Sequence, residues 1–256
     1  MTNVVCDVDG VIYRGSRVLP GVPEGLIRLR DAGTRLLFVT NNSMRSPVEA
    51  AARITDLTGV EVSPGEMCTS PQAAAMTLRP SDTPVFVVGE TGIAETLAAG
   101  GVELTTDATR ARCVMVGLTR RITYDWIASA AEAVRRGARF IATNTDPTYP
   151  IEDGLLPGAG AIVAAIATAA GRDPEIAGKP HQPMVDLVRS RLDDGPVWVI
   201  GDRIDTDIAL ARAGGWRSIL VMGGVTDDSE DSDADEVAGG FGEAVDLILS
   251  KPADRR

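Results

Sequence analysis

Val4-Val5-Cys6-Asp7-Val8-Asp9-Gly10-Val11 is the stretch that decides the reading of this chain. An apolar run closes on two carboxylates two residues apart, and a glycine follows at once. Residues i and i+2 of a strand share a face, so Asp7 and Asp9 are placed side by side where a sheet ends. Two like charges so close repel, and burial raises the cost. A metal cation, a shared proton or a nearby lysine makes such a pair tolerable. A solvated Asp-x-Asp-Gly turn closing an ordinary strand is the plain alternative.

Outward from this stretch, short Val/Ile/Leu-rich runs alternate with amphipathic, Ala-rich segments, the pattern of an α/β protein with parallel strands. Strands are expected at 4–8, 35–40 and 66–69. Helices are expected at 21–32, from Ser46-Pro47 onward with a serine N-cap and a proline at the first turn, and at 71–78. Residues 79–84, Arg-Pro-Ser-Asp-Thr-Pro, read as a linker. A second series follows, with strands at 85–89, 113–117 and 140–143 and helices at 93–99, 124–136 and 159–170. After another break at 171–174 come a helix at 182–192, a strand at 196–201, a helix at 206–213, a strand at 218–222 and a helix at 242–249. Two breaks suggest one domain inserted into another, with both ends of the chain forming the outer one.

The composition, 44% hydrophobic and 24% charged over 256 residues, is that of a globular protein with a substantial core. No apolar run reaches the ~18 residues that span a bilayer, and the first residues carry no basic segment leading into an apolar signal core. Cys6, Cys68 and Cys113 are odd in number, widely spaced and set among apolar residues. They read as buried thiols of a reducing compartment, which places the protein in the cytoplasm. The net charge of −11 argues against nucleic acid as a partner. It also means that an anionic substrate needs local positive charge. Residues 227–236 form an acidic run, read as a solvated loop.

Four expected strand ends carry polar residues suited to phosphate and metal. The first is Asp7-x-Asp9-Gly10. The second is Thr40-Asn41-Asn42-Ser43, where a hydroxyl, an amide and turn N–H groups suit an incoming phosphate oxygen, though an Asn-rich turn with a helix cap also explains it. The third is Gly178-Lys179-Pro180-His181, whose lysine could reach a carboxylate or a phosphate. The fourth is Gly201-Asp202-Arg203-Ile204-Asp205-Thr206-Asp207, a strand running straight into three carboxylates. Hard oxygen ligands of this kind suit Mg²⁺. In an open parallel sheet, ligands bind beyond the carboxyl ends of the strands, and all four clusters sit there.

Taken in order, Asp7-Val8-Asp9-Gly10, Thr40-Asn41-Asn42, Lys179-Pro180 and Gly201-Asp202-x-x-x-Thr206-Asp207 resemble the haloacid dehalogenase (HAD) superfamily of phosphatases. More narrowly the chain is similar to the NagD-like branch, subfamily IIA, which includes pyridoxal-phosphate, glycerol-phosphate and phosphoglycolate phosphatases. Ala142-Thr143-Asn144-x-Asp146 and Leu156-Pro157-Gly158-x-Gly160 extend the likeness into the insert. The interval from Asp9 to Thr40 holds one helix and no extra domain, whereas that from Thr40 to Lys179 is far longer than a core needs. The resemblance therefore implies a Rossmann-like parallel-sheet core at 1–78 plus 177–256 and an inserted α/β cap domain of the second (C2) type at 79–176.

It also implies roles. Asp7 attacks phosphorus and forms an aspartyl-phosphate. Asp9 protonates the leaving oxygen and then activates water. Thr40 and the backbone N–H of Asn41 hold the phosphoryl oxygens, and Lys179 offsets charge on Asp7 and the phosphate. Asp202 ligates Mg²⁺ with Asp7 and the Asp9 carbonyl, and Asp207 holds a metal-bound water. Asn144 and Asp146 are the cap's candidates for substrate specificity. The chain departs from the family at Thr119 and Thr145, where an aspartate and a proline are frequent; both lie in the cap and bear on the substrate. Asp205 is expected to be peripheral, His181 structural, and Cys6 to pack on the opposite face of its strand from Asp7.

The expected activity is thus Mg²⁺-dependent hydrolysis of a small phosphorylated metabolite, of sugar or polyol type, with pyridoxal phosphate or a nucleoside monophosphate as the alternative. Some relatives pair through their caps, so a homodimer is possible. A dehalogenase has no call for Asp9 or Asp202, and a phosphomutase carries a helical cap where this chain has no room. A non-catalytic nucleotide-binding module would rest on Gly158-x-Gly160-x-x-Val163, a poor fit to the dinucleotide fingerprint.

Overall fold

The computed structural model describes residues 1–222 and 233–250. Strand β1 (Asn3–Asp7) is followed by a two-residue hairpin, β2 (Tyr13–Arg14) and β3 (Arg17–Val18), and by helix α1 (Val22–Asp31). Then come β4 (Arg35–Thr40), α2 (Pro47–Thr58), β5 (Met67–Thr69) and α3 (Ser70–Met76). The middle of the chain runs β6 (Val85–Val88), α4 (Thr91–Ala99), β7 (Leu104–Thr105), β8 (Cys113–Val116), α5 (Tyr124–Arg135) and β9 (Arg139–Ala142). It continues through an antiparallel hairpin, β10 (Thr148–Ile151) and β11 (Gly154–Pro157), to α6 (Ala159–Ala170) and β12 (Glu175–Ile176). The chain returns as α7 (Gln182–Arg189), β13 (Val197–Gly201), α8 (Ala209–Gly214), β14 (Arg217–Val221), β15 (Glu236–Ala238) and α9 (Phe241–Ser250).

Two parallel sheets result. The six-stranded one has the order β15-β14-β13-β1-β4-β5, and the five-stranded one, built wholly from the middle of the chain, β12-β9-β8-β6-β7. β1 lies at the centre of the first. The chain runs from it to β4 and β5 on one side and later to β13, β14 and β15 on the other, which makes a switch point at the carboxyl end of β1. The register sets Asp7 opposite Val39, so Thr40 and Asp202 fall just beyond the same edge.

Period-two alternation divides the core. Val4 and Cys6 of β1, with Leu36 and Phe38 of β4, pack against Leu26, Leu29, Ile54, Phe241 and Val245 from α1, α2 and α9. Val5, Leu37 and Val39 face the other way, toward Ala73, Met184, Val188 and Leu210 from α3, α7 and α8. That second cluster continues without a break into Ile93 and Leu97 of α4 and Cys113, Met115 and Ile141 of the smaller sheet. The outer face of the smaller sheet has its own cluster under α5 and α6, including Val114, Val116, Ala130 and Ile166. The two sheets therefore share one layer of core, which a picture of two self-contained domains does not anticipate.

Local sequence sets several boundaries. Ser46 caps α2 in a reciprocal box, the Ser46 backbone N–H donating to Glu49 Oε2 at 3.1 Å. The helix expected at 206–213 begins instead as a wide π-turn over Ile204–Ile208, in which the N–H groups of Asp207 and Ile208 both reach the Arg203 carbonyl. Residues 227–232 of the acidic run lie outside the described residues. The end of the run does not fit the loop reading. Asp235 accepts hydrogen bonds from the backbone N–H and hydroxyl of Ser218 at 2.8 and 3.0 Å, and Glu236 opens the edge strand β15. Among the described residues no helix is long and apolar enough to cross a membrane.

Candidate active site

The four polar clusters converge at the carboxyl edge of the larger sheet. Asp7 ends β1, Thr40 ends β4, Lys179 sits on the loop before α7, and Asp202 follows β13. Asp7, Thr40, Lys179, Asp202 and Asp207 are all buried. The Lys179 ammonium bridges two carboxylates, donating to Asp7 Oδ1 and, at 2.6 Å, to Asp207 Oδ1. The other oxygen of Asp207 accepts the N–H groups of Asp202 and Arg203 at 3.2 and 3.1 Å. The π-turn turns Asp207 back toward the strand end, and these two N–H bonds fix its carboxylate there.

Asp9 lies outside the strand and does not stand beside Asp7 on a continuous face. It enters a bridge with Tyr13, and its carboxylate is held from the β4 side, where Thr40 Oγ1 and Asn42 Nδ2 each donate to Oδ2 at 3.4 Å. The lone-pair side of the same hydroxyl accepts the Asn42 N–H at 3.0 Å. The first strand thus delivers two carboxylates to different neighbours: Asp7 to the lysine, Asp9 to a hydroxyl and an amide. The contact from the Asn42 side chain to Asp9 was not foreseen from the sequence, although Asn42 stands in the quoted motif.

Burial pushes the Asp7 carboxyl well above its ordinary value; Lys179 pulls it back, while Asp207 and Asp202 push it up again. Burial alone would lower the ammonium of Lys179, but Asp207 and Asp7 outweigh it and hold the lysine charged. Burial likewise raises Asp9 against its hydrogen bonds from Asn42 and Thr40 and the charges of Lys179 and Arg45. One ammonium faces three buried carboxylates, since Asp7, Asp202 and Asp207 each offer an oxygen within 4.8 Å of the others. That excess of hard anionic oxygen in a buried setting fits a divalent cation such as Mg²⁺. Gly10, at φ 109°, is part of the same cradle, because a Cβ there would run into the Asp202 carboxylate.

A narrow cavity of about 50 Å³ opens over these groups, lined by Asp7, Asp9, Thr40 and Lys179 below and by Leu118 and Asp146 from loops of the insert and Thr148 and Tyr149 from the β10–β11 hairpin above. Of the two cap residues singled out from sequence, Asn144 lines the cavity, with its Nδ2 donating to the Asn41 carbonyl at 2.6 Å. Asp146 lines the cavity and accepts from Asn41 Nδ2 at 3.0 Å. Burial raises its carboxyl against the pull of Lys179 and Arg203. Thr119 is buried and donates to Glu90 at 2.8 Å, away from the metal cluster. Asp205 pairs with Arg203 on the exposed side, His181 lies with its ring against the Gly178 carbonyl, and Cys6 packs in the apolar cluster opposite Asp7.

Sequence reading passed over the β10–β11 hairpin, which supplies Thr148, Tyr149 and Pro150 to the cavity. A signal was present in the Asp153-Gly154 pair: the turn closes over Glu152-Asp153, and Gly154, at φ 137°, opens β11 opposite Ile151. Gly158 and Gly160 serve packing, since a Cβ at either would strike the backbone carbonyls of Asp146 or Thr145. β11, the strand before them, is part of an antiparallel hairpin, which removes the dinucleotide reading.

Comparison with known proteins agrees with this geometry. Residues 4–103 match the family profile described as haloacid dehalogenase-like hydrolase, and residues 176–244 one described as HAD-hydrolase-like. The D-glycerol 3-phosphate phosphatase of Mycobacterium tuberculosis is 39% identical over 226 residues, which are 87% of this chain and 63% of that protein. The chain therefore spans less than two thirds of that relative. The acid sugar phosphatase of Staphylococcus haemolyticus is 34% identical over 234 residues, 90% of this chain and 88% of its own length. A crystal structure of glycerol phosphate phosphatase from Mycobacterium tuberculosis in complex with magnesium superposes with a TM-score of 0.85 at 35% identity, covering 93% of this chain and 74% of that one.

Proposed function

The chain belongs to the haloacid dehalogenase-like hydrolases, in the NagD-like branch of phosphatases, and from that premise we propose that it is a Mg²⁺-dependent phosphomonoesterase acting on a small sugar- or polyol-type phosphate. The observation that carries the proposal is the Lys179 bridge between Asp7 and Asp207, with Asp202 beside it and Thr40 and Asp9 facing it across the cavity. The boundaries at 79 and 176 follow the same reading: the core, 1–78 plus 177–256, holds the reacting groups, and the insert forms a cap over them.

In this account an Asp7 oxygen attacks phosphorus, the ester P–O bond breaks, and Asp9 gives its proton to the leaving oxygen. Water then attacks phosphorus of the aspartyl-phosphate while Asp9 takes its proton. Inorganic phosphate leaves and the Asp7 carboxylate is restored. Thr40 and the Asn41 N–H hold the phosphoryl oxygens, and Lys179 keeps Asp7 oriented and offsets its charge. Asp7, Asp202, Asp207 and the Asp9 carbonyl would hold Mg²⁺, which when bound supplies positive charge to the phosphoryl oxygens. This local charge answers the overall excess of acid in the chain.

The substrate class rests on the cavity and the relatives. Leu118, Asp146, Thr148 and Tyr149 of the insert lie over Asp7, Asp9 and Lys179, which supports a small phosphate ester over a polymer segment. Hydroxyls of a polyol would find acceptors and donors in Asp146, Thr148 and Tyr149. The glycerol phosphate and acid sugar phosphatases among the relatives support that class, and reducing-compartment thiols support action in the cytoplasm. The test is phosphate release from an aryl phosphate and from a panel of sugar and polyol phosphates with Mg²⁺ present. Asp7→Asn is expected to lose activity by roughly 10³-fold or more. Undiminished turnover by that variant would remove the mechanism, and a wild-type protein inert on every ester would remove the activity.

A further inference from the structure

The carboxamide of Asn41 joins three segments at one point. Its Oδ1 accepts the Lys179 N–H at 2.8 Å, and its Nδ2 donates to the Lys179 carbonyl at 3.3 Å, so the amide grips that residue's main chain from both sides. The second hydrogen of Nδ2 goes to Asp146, 3.0 Å from Oδ1 and 3.2 Å from Oδ2. The Asn41 carbonyl in turn accepts Ser70 Oγ at 2.8 Å and Asn144 Nδ2 at 2.6 Å. Asn41 is buried, and Gly178 has no room for a Cβ because Asn41 Oδ1 and the Thr143 carbonyl occupy that space. The sequence reading gave Asn41 a role through its backbone N–H alone. The side chain is engaged in something else.

We propose that the Asn41 side chain is a positioning residue that fixes the Lys179 main chain and, through Asp146, makes the placement of the Lys179 ammonium depend on the seating of the cap. The physical reason is leverage. The ammonium must reach Asp7 and Asp207 at once from the end of a flexible four-carbon stem, so its Cα has to be held still. Lys179 lies on the loop between β12 and α7, outside the regular elements. The amide holds it there, with a hydrogen bond on each side of the residue. Asp146 shares the donor that grips the Lys179 carbonyl, so loss of Asp146 frees that NH₂ to turn away. A buried network of this kind is fully satisfied only when all three segments are in place. The inference rests on the reading of the site as a phosphatase centre.

The experiment is steady-state turnover of an aryl phosphate, with thermal unfolding recorded for every variant. Asn41→Ala is expected to lower kcat about 30-fold with KM changed less than threefold. Asp146→Ala is expected to lower kcat about tenfold, and Asp146→Asn, which keeps an acceptor for the Asn41 amide, to recover most of it. In a Lys179→Ala background the further change Asn41→Ala is expected to cost less than twofold, because the group it positions is gone. A full, undiminished penalty in that background, or equal loss in Asp146→Ala and Asp146→Asn, overturns the coupling. So does an Asn41→Ala protein with wild-type kcat. Wild-type activity is the control that separates these failures from failure of the phosphatase reading itself. Asp146→Asn, a near-isosteric change, keeps the question open to refutation if Asn41→Ala does not fold.

Discussion

The larger sheet and the inserted segment bring opposite kinds of edge to one cavity. On the larger sheet Asp7, Lys179, Asp202 and Asp207 are buried, and their positions are fixed by ion pairs and backbone N–H bonds. Beside the smaller sheet the contribution is a separate hairpin, Thr148–Ile151 with Gly154–Pro157, in which no residue is fully buried. Buried charges tolerate one arrangement, because an unpaired one is expensive. Half-exposed side chains tolerate many, because water satisfies what the protein does not. The core edge is therefore suited to a fixed reaction, and the cap edge to a choice of leaving group.

The sharpest way to break this contrast is to remove the central cation of the core edge. Lys179→Met leaves Asp7 and Asp207 buried without their partner, and is expected to cost about 3–5 kcal/mol in urea unfolding without Mg²⁺, besides most of the activity. A loss below 1 kcal/mol would mean that the carboxylates are not held as described. Mg²⁺ should act in the opposite sense. At a hundredfold excess over its dissociation constant it is expected to stabilise the folded chain by about 2.7 kcal/mol, and Asp202→Ala to abolish that rise. An equal rise in the variant would place the ion elsewhere.

The joint between the regions is a milder test. Arg139 opens β9 and donates to Asp82 at 2.8 Å in the first connection and to Glu175 at 2.6 Å in the second, so one guanidinium ties both crossings together. Burial pushes the Asp82 carboxyl up, but the Arg79 N–H and the Arg139 guanidinium outweigh it and hold it below its ordinary value. A carboxyl lowered by folding stabilises the protein above its unfolded value, about 3.9, and loses that stabilisation as pH falls through the folded one. Arg139→Ala is thus expected to cost about 1–2 kcal/mol at pH 7 and progressively less as the pH falls below about 3.9, read by thermal unfolding. Glu175 is largely exposed and adds little. A penalty independent of pH would show that the arginine acts by packing alone.

Smallest of all should be a change at the cap edge. The Tyr149 hydroxyl accepts from Arg120 Nε at 2.6 Å and its ring lines the cavity. Tyr149→Phe is expected to leave kcat on an aryl phosphate within twofold, while shifting the preference between glycerol and sugar phosphates by a factor of several. A general collapse of kcat would erase the division of labour between the larger sheet and the hairpin.

The same contrast explains what the sequence disclosed. Arg35–Thr40 and Ala159–Ala170 were read to the residue because apolar period and capping chemistry agree there. The motifs at Asp7, Thr40 and Asp202 were legible because each closes an apolar run with polar or charged residues, whereas Lys179 stood out only in their company. The β2–β3 and β10–β11 hairpins were not, since two- and four-residue strands with mixed exposure leave little period to detect. The π-turn before α8 was hidden for another reason: nothing in the residue types of Ile204-Asp205-Thr206-Asp207 marks a π-turn, and only the bonds to the Arg203 carbonyl reveal it. The Asn41 amide was invisible because its partners, Asp146 and Lys179, are distant in sequence and meet only in three dimensions.

The central claim is that Asp7, and not Asp9, becomes covalently attached to phosphorus. It is tested most directly by quenching the enzyme in acid during turnover of an aryl phosphate with Mg²⁺ and mapping phosphorylated peptides by mass spectrometry. The account predicts one phosphoryl group on Asp7, absent from Asp7→Asn. A phosphoryl group on Asp9, or a turning-over enzyme with no modified residue under conditions that trap acyl phosphates, would contradict it.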